Sequence, residues 1–401
     1  MIRKQKILLV HNYYKIPGGE DIAVASEKLL LEQHGHEVLL YSRSNQELDS
    51  FPAWKKALLP LTALFSLRTY KEVKRLIREE QIDIVHVHNT LSLVSPSVYY
   101  AAFACGVPAV QTMHNFRLLC PAATFVRDGK ICEDCVERGL GCAVRHNCYR
   151  DSKLQTLMSA AILKLHRMLG TYRRLFYICL TDFNKEKLLL LNRGGKTVIR
   201  EDRVFVKTNF VWRPQIGNAE VREESQYLYV GRLDVLKGVR VLLEAWREFP
   251  DRKLLICGKG PEEGWIRKFV RENQMGQVEL LGQVSHDEVM RLAARSRALI
   301  MPSLWYEGQG LVLLESYAVG TPVLASALGN MKNIVVPGVT GCCFAPGDAK
   351  ALREAVEKLK ERREWDTKPV YEAYYSPEKN YEILKAVYDR AEEAFSQEGR
   401  R

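Results

Sequence analysis

The chain has 401 residues, 47% of them apolar and 27% charged, which excludes a disordered or fibrous protein and leaves room for two domains with real cores. Its formal net charge of +11 lies wholly within residues 1–212, since basic and acidic side chains balance over the rest. No signal peptide is visible, and the apolar run from Ala57 to Leu67 is too short to span a bilayer and contains Pro60, so a cytoplasmic protein is expected.

In chain order, Lys6 to Val10 reads as a strand, Glu20 to His34 as a helix closed by Gly35, and Glu37 to Leu40 as a strand. No G-x-G-x-x-G follows the first strand; Gly18 and Gly19 come later, which counts against a nicotinamide or flavin enzyme. Phe51 to Lys74 mixes Trp54, Lys55, Lys56, Leu58 and Arg68, and Lys153 to Phe176 mixes Lys164, Arg167, Met168, Arg173 and Arg174. Both segments fit interfacial helices on the anionic inner face of a membrane, and both fit ordinary solvated helix faces. Nucleic acid is the other partner of a basic surface, but no reader motif accompanies the charge.

Asp83 to His88 is the next strand, with His86 and His88 on one face. They read as structural, because the sequence offers no evident third ligand for a metal. The strand from Pro108 to Met113 ends at His114, and a polar insert over residues 117–150 follows. It holds Cys120, Cys132, Cys135, Cys142 and Cys148, with Cys132 and Cys135 spaced as C-x2-C. In a reducing compartment such clustering favours thiolate–metal bonding over disulfides. Cys120, Cys132, Cys135 and Cys148 are the expected structural zinc set, with His146 able to replace one; reduced thiols or a disulfide pair are the alternatives. The remaining cysteines sit in or beside apolar runs and read as packing.

Phe176 to Leu180 and Val204 to Val206 read as strands around a helix from Asn184 to Leu191. A linker is expected from Trp212 to Ser225, followed by strands at 227–230, 253–257, 278–281, 298–301 and 323–325 with helices between. Two alternating βα halves imply an α/β protein of two Rossmann-like parallel-sheet domains, residues 1–212 and 213–376. A closing helix from Pro377 to about Phe395 lies within residues 377–401.

Two loops of the second half carry chemistry. After the strand at 227–230, Gly231-Arg232-Leu233-Asp234-Val235-Leu236-Lys237-Gly238 opens a helix. Cations at a helix start oppose its dipole, so Arg232 and Lys237 are better explained by an anionic ligand. After the strand at 298–301, Glu307-Gly308-Gln309-Gly310-Leu311 leads into an apolar helix containing Glu315 and ending at Gly320. The glycines present backbone N–H groups to a phosphate or sugar oxygen, and the carboxylates suit ribose and hexose hydroxyls. An ordinary basic loop and an accidental Glu-x7-Glu spacing are the bland alternatives.

Gly231-Arg232 with Lys237-Gly238, and Glu307-x7-Glu315 seventy positions after Lys237, resemble the retaining glycosyltransferases of family 4, which have the GT-B fold. Pro17-Gly18-Gly19-Glu20 resembles the family's glycine-rich loop, Thr112-Met113-His114-Asn115 its strand-end histidine, and Lys207-Thr208-Asn209-Phe210-Val211 the segment closing its first domain, with Thr208 replacing the usual proline. The resemblance covers nearly the whole chain. It implies domains facing across a cleft, with the terminal helix crossing back onto the first.

It also implies transfer of a sugar from a UDP- or GDP-linked donor to an acceptor hydroxyl, with no catalytic metal. Arg232 and Lys237 would hold the diphosphate, Gly231, Gly308, Gln309, Gly310 and Leu311 would lie against the donor, and Glu315 would grip the ribose. Glu307 would orient the sugar, His114 would stand near its hydroxymethyl end, and Gly18 and Gly19 would border the donor phosphates and the acceptor. Cell-surface polysaccharide or glycoconjugate synthesis fits best, with a glycan, lipid-linked or soluble small-molecule acceptor. An epimerase or phosphorylase on the same fold, or a basic binding protein without catalysis, are the rival readings.

Overall fold

The structure, a computed structural model, describes residues 4–16, 18–213, 222–361 and 365–398. Two six-stranded parallel sheets organise it. The first contains Lys6–Tyr13, Glu37–Ser44, Ile84–Val87, Ala109–Met113, Phe176–Cys179 and Val204–Val206, in the spatial order 2-1-3-4-5-6 when its own strands are counted along the chain. The second contains Glu223–Val230, Lys253–Cys257, Val278–Gly282, Ser296–Met301, Val323–Ser326 and Gly341–Phe344, in the order 3-2-1-4-5-6. Helices cover both faces, so the central strands read as continuous apolar runs: Ile7 to Val10 and Leu228 to Tyr229 are almost fully buried.

In the second sheet one face carries Trp246, Leu242 and Ile300, and the other carries Leu313, Tyr317 and Leu299. Its first and fourth strands are neighbours, and the chain winds away from them in opposite directions. The loops leaving such a switch point border the place where doubly wound sheets bind ligands. Here those loops begin at Gly231 and Pro302, and the Leu304 N–H donates to the Leu236 carbonyl at 2.8 Å. The equivalent place in the first sheet lies beyond Tyr13 and Val87, where Asn12 N–H donates to Asn89 O at 3.0 Å.

The chain divides into two compact units: residues 1–125, 132–209 and 380–401 in one, and 126–131 with 210–379 in the other. The terminal helix Pro377–Glu398 therefore returns to the first unit from Asn380 onward, as the family resemblance implies. It buries Leu384, Val387, Tyr388 and Ala391 there. The expected strands all form. The structure adds the edge strand Gly341–Phe344 and a small antiparallel hairpin, Val126–Arg127 with Lys130–Ile131. The basic segments fold as helices Ala53–Leu64, Leu67–Glu79 and Lys153–Met168. No described helix is long and apolar enough to cross a membrane. Most of the expected linker between Trp212 and Ser225 lies outside the described residues.

Candidate functional site

The Gly231–Gly238 loop folds tightly on itself. Asp234 caps a short 3-10 turn, Val235–Lys237, by accepting the Lys237 N–H at 3.0 Å. Gly238 then takes a left-handed φ of +76°, and a Cβ there would stand 1.8 Å from the Pro302 carbonyl oxygen. Only glycine lets the two switch-point loops approach so closely. Gly231 N–H donates to Cys257 O at 3.0 Å, which fixes the start of the loop. Arg232 extends outward, about two-thirds exposed, with its Nε 3.3 Å from Asp234 Oδ2.

Lys237 does not stand alone. Its Nζ lies 2.8 and 2.9 Å from the two carboxylate oxygens of Glu307, and 5.4 Å from the centre of the Trp305 ring. Glu307 is buried on the loop before the helix Leu311–Ala318. Its Oε1 also accepts from Ser303 Oγ at 2.6 Å and Trp305 Nε1 at 2.8 Å. Burial alone would raise its pKa, but the Lys237 ammonium and these hydrogen bonds hold the carboxyl below its usual value. Asn330 Nδ2 holds the Glu307 carbonyl at 2.6 Å and reaches the Gly308 carbonyl as well. Gly310 precedes the helix with φ +73°, and a Cβ on it would meet Met301 Cε at 2.9 Å. Buried Gln309 lies between the two glycines, and Leu311 is the first helical residue.

Glu315 sits one turn into that helix, mostly buried, with its Oε1 3.0 Å from His286 Nε2. The hydrogen bond to Glu315 raises the His286 pKa. Sequence reasoning singled out neither His286 nor the Ser303–Trp305–Asn330 frame. Trp305, two residues before Glu307, was the one signal within reach.

In the first unit, Gly18 caps the helix Gly19–Gln33, and its N–H donates to Asp21 Oδ2 at 2.8 Å. Pro17 lies outside the described residues. Gly19 is exposed, and Glu20 beside it accepts from Tyr14 OH at 2.9 Å and Asn115 Nδ2 at 3.5 Å. His114 follows the strand Ala109–Met113 and lies 2.9 Å, Nε2 to Nδ1, from His88. Burial, then the neighbouring His88, pushes the His114 pKa well down, so its imidazole is neutral. With Nε2 engaged, Nδ1 is the ring nitrogen left for a ligand.

The histidine pair behaves differently from expectation. A third donor does face His86 and His88: Glu27 Oε1 lies 3.0 Å from His86 Nδ1 and 3.4 Å from His88 Nε2. The carboxylate already has a cation, because Lys207 Nζ stands 2.7 Å from its Oε2. Tyr388 OH and Thr112 Oγ1 hold the two nitrogens of His86, each at 2.7 Å. The expectation that no third donor faces the pair is corrected, and each of the three groups has a protein partner: Lys207 for Glu27, Tyr388 and Thr112 for His86, and His114 for His88.

The cysteine set does not fit a preformed zinc site. Tetrahedral thiolates about 2.3 Å from a zinc ion lie roughly 3.8 Å apart. Among the described residues, no three cysteine sulfurs lie within 4.8 Å of one another. Burial, then Cys120, Cys148 and Cys142, pushes the Cys135 thiol up to about 12. By that spacing, Cys120, Cys132, Cys135 and Cys148 do not form a preformed metal-binding cluster here. None of the described cysteines is in a disulfide.

The family model of glycosyl transferases group 1 matches residues 214–375, and that of glycosyltransferase family 4 matches residues 22–130. A glycogen synthase of Mycobacterium tuberculosis is 30% identical over 285 residues, 69% of this chain; the match spans only 60% of that relative's length. A glycosyltransferase of Methanocaldococcus jannaschii, MJ1607, is 32% identical over 306 residues, 74% of this chain and 71% of its own. Among solved structures, Anabaena HepE in complex with UDP and glucose superposes with a TM-score of 0.62 at 18% identity, over 96% of this chain and all of that one. A Rickettsia africae glycosyltransferase gives 0.65 at 17% identity, over 98% of each chain. These structures share its fold of two Rossmann-like parallel-sheet domains. On these matches, the chain belongs to glycosyltransferase family 4, within the group 1 glycosyl transferases.

Proposed function

We propose that the protein is a retaining glycosyltransferase that moves a sugar from a nucleoside diphosphate sugar to an acceptor hydroxyl. The observation that carries this reading is the Lys237–Glu307 pair at the switch point of the second sheet. An ammonium has three N–H donors, and two directed at Glu307 leave one for a phosphate oxygen. Among the described residues, Glu307 Oε1 accepts three hydrogen bonds, whereas Oε2 accepts only that of Lys237, so Oε2 keeps a lone pair for a sugar hydroxyl. Exposed Arg232 brings a planar fork to the same diphosphate. Glu315 takes the ribose, with His286 as its present partner. The backbone of Gly231 and of Gly308 to Leu311 lies along the donor, and neutral His114 with Gly18 and Gly19 serves the sugar and acceptor.

In the reaction, the bond from the anomeric carbon to the diphosphate breaks as Arg232 and Lys237 stabilise the charge on the leaving oxygen. The acceptor oxygen bonds to that carbon on the same face, and its proton passes to the departing phosphate. These cations supply the charge that a divalent ion gives other transferases. The UDP complexes of the Anabaena neighbour favour a UDP-linked donor over a GDP-linked one. Relatives named for glycogen, O-antigen chain and phosphatidyl-myo-inositol products favour glycan or lipid-linked acceptors. Synthesis of a polysaccharide or glycoconjugate inside the cell is the process they suit.

The test is a panel of UDP- and GDP-sugars labelled in the sugar, followed by release and transfer. Slow donor hydrolysis by the wild type is expected, falling about a hundredfold in Lys237→Ala with the fold intact. Glu315→Ala should mainly weaken calorimetric binding of free UDP. Undiminished turnover by Lys237→Ala would remove the ammonium from the mechanism, and unchanged UDP affinity would break the ribose assignment.

A further inference from the structure

We propose that Glu27 and His88 are positioning residues, which fix the proton of His114 on Nε2 so that its Nδ1 offers a lone pair to a sugar hydroxyl. The three side chains come from the helix Gly19–Gln33, from the residue after the strand Ile84–Val87 and from the end of the strand Ala109–Met113, all within the first unit.

His114 Nε2 and His88 Nδ1 are 2.9 Å apart, and the ring centres stand 5.2 Å apart at an interplanar angle of 25°. With those nitrogens so close, the rings meet edge to edge rather than face to face. Two neutral imidazoles in such a contact share one proton, so one ring donates and the other accepts.

The far side of His88 decides which. Its Nε2 faces Glu27 Oε1 at 3.4 Å, and both atoms are buried with no hydrogen-bond partner among the described residues. Lys207 Nζ, 2.7 Å from Glu27 Oε2, keeps that carboxyl ionised, and a carboxylate only accepts. A lone pair on His88 Nε2 would be repelled by it where no water screens the two; an N–H is attracted. His88 therefore carries its proton on Nε2, its Nδ1 accepts, and His114 donates from Nε2. The neighbouring rings do not compete, because Tyr388 and Thr112 hold His86, and Asp21 Oδ1 lies 2.7 Å from His11 Nε2.

His114 Nδ1 is thus a fixed acceptor. On the transfer reading given above, the group that meets it is the hydroxymethyl hydroxyl of the donor sugar, which must donate its own proton. A sugar whose substituent at that carbon can only accept is discriminated against.

The experiment is nitrogen-15 NMR of the full chain labelled at histidine, without ligand; nine histidines leave few signals, and His114→Gln assigns the one wanted. The wild type at neutral pH should show His114 protonated at Nε2 and bare at Nδ1. Glu27→Leu/Lys207→Met replaces both charges with apolar side chains and should leave the two tautomers mixed. In slow hydrolysis, UDP-glucose should exceed its 6-deoxy-6-fluoro analogue at least about tenfold in kcat/KM, since fluorine cannot donate. His88→Asn, whose amide oxygen replaces Nδ1, should keep that preference, and His88→Leu should lose it. A wild-type His114 protonated at Nδ1, an unchanged tautomer in the double variant, or equal kcat/KM on the two donors overturns the proposal. A wild type that hydrolyses no member of the donor panel counts against the transfer reading and leaves the tautomer to be decided by the NMR.

Discussion

Glu20 is a carboxyl placed where ionisation is costly. Its Oε2 takes Tyr14 and Asn115, while its Oε1 is buried with no hydrogen-bond partner among the described residues. Burial dominates, with Asp21 adding repulsion against the pull of Tyr14 and Arg117, and the pKa is pushed up to about 8. The sign follows from proton linkage. Between its ordinary value of 4.5 and about 8 the folded chain holds a proton that the unfolded chain has lost, so stability from this group falls as pH rises. Glu20→Gln keeps an acceptor for Tyr14 and removes the titration. Its thermal midpoint relative to wild type should climb from pH 5 to pH 8 and level off above, by a total on the order of a few kcal/mol. A difference that stays flat across that range would show that Glu20 ionises normally. Glu20 was visible beside Gly18 and Gly19 in the sequence, but its proton was not, because that depends on Tyr14, Asn115 and Arg117 meeting it in space.

At the scale of elements, the two switch-point loops depend on backbone packing as much as on side chains. Gly238 combines a left-handed φ with a Cβ position inside the Pro302 carbonyl. Gly238→Ala must push the loop away from the strand end, carrying Lys237 off Glu307. Roughly 1–3 kcal/mol of stability should go with it, and UDP affinity should fall measurably in calorimetry. Gly264 is the control. It lies in the helix Glu263–Glu272, where an added Cβ would meet nothing within 4 Å, so Gly264→Ala should be neutral or stabilising by up to about 1 kcal/mol. If the two variants bind UDP alike, the close approach at Gly238 has no bearing on the site. Elements of this kind were legible in the sequence to differing degrees. Ala298 to Met301 is a continuous apolar run because a central parallel strand is buried on both faces, and the helix carrying Glu315 stops at Ala318, two residues before Gly320. Gly341–Phe344 escaped notice because an edge strand of four residues with two half-buried cysteines has no such run.

Over the whole molecule, the first unit is closed by parts of the chain that no local pattern connects. Glu27 and Lys207 are 180 residues apart, yet they meet as a buried ion pair at 2.7 Å. Lys207 also donates to Asn380 Oδ1 at 3.1 Å, and Asn380 Nδ2 donates to the Thr208 carbonyl at 2.6 Å, which ties in the terminal helix. Lys207 appeared in the sequence only as part of a domain-closing segment, since a buried lysine and its carboxylate cannot be matched across such a distance. Burial would raise the Glu27 pKa, but Lys207 and then His86 hold it well below its usual value. Lys207→Met keeps the shape of the side chain and strands the carboxylate. The loss should be about 3–5 kcal/mol, as for other buried pairs broken on one side. The stranded Glu27 would then titrate upward, so the variant loses stability as pH rises whereas the wild-type pair's contribution fades as pH falls, and the deficit between them should grow as pH rises and shrink in acid. Adding Glu27→Gln to Lys207→Met should recover part of the midpoint and abolish that slope. If the double variant is no more stable than Lys207→Met at pH 8, the ion pair is not what holds the first helix, the last strand and the terminal helix together.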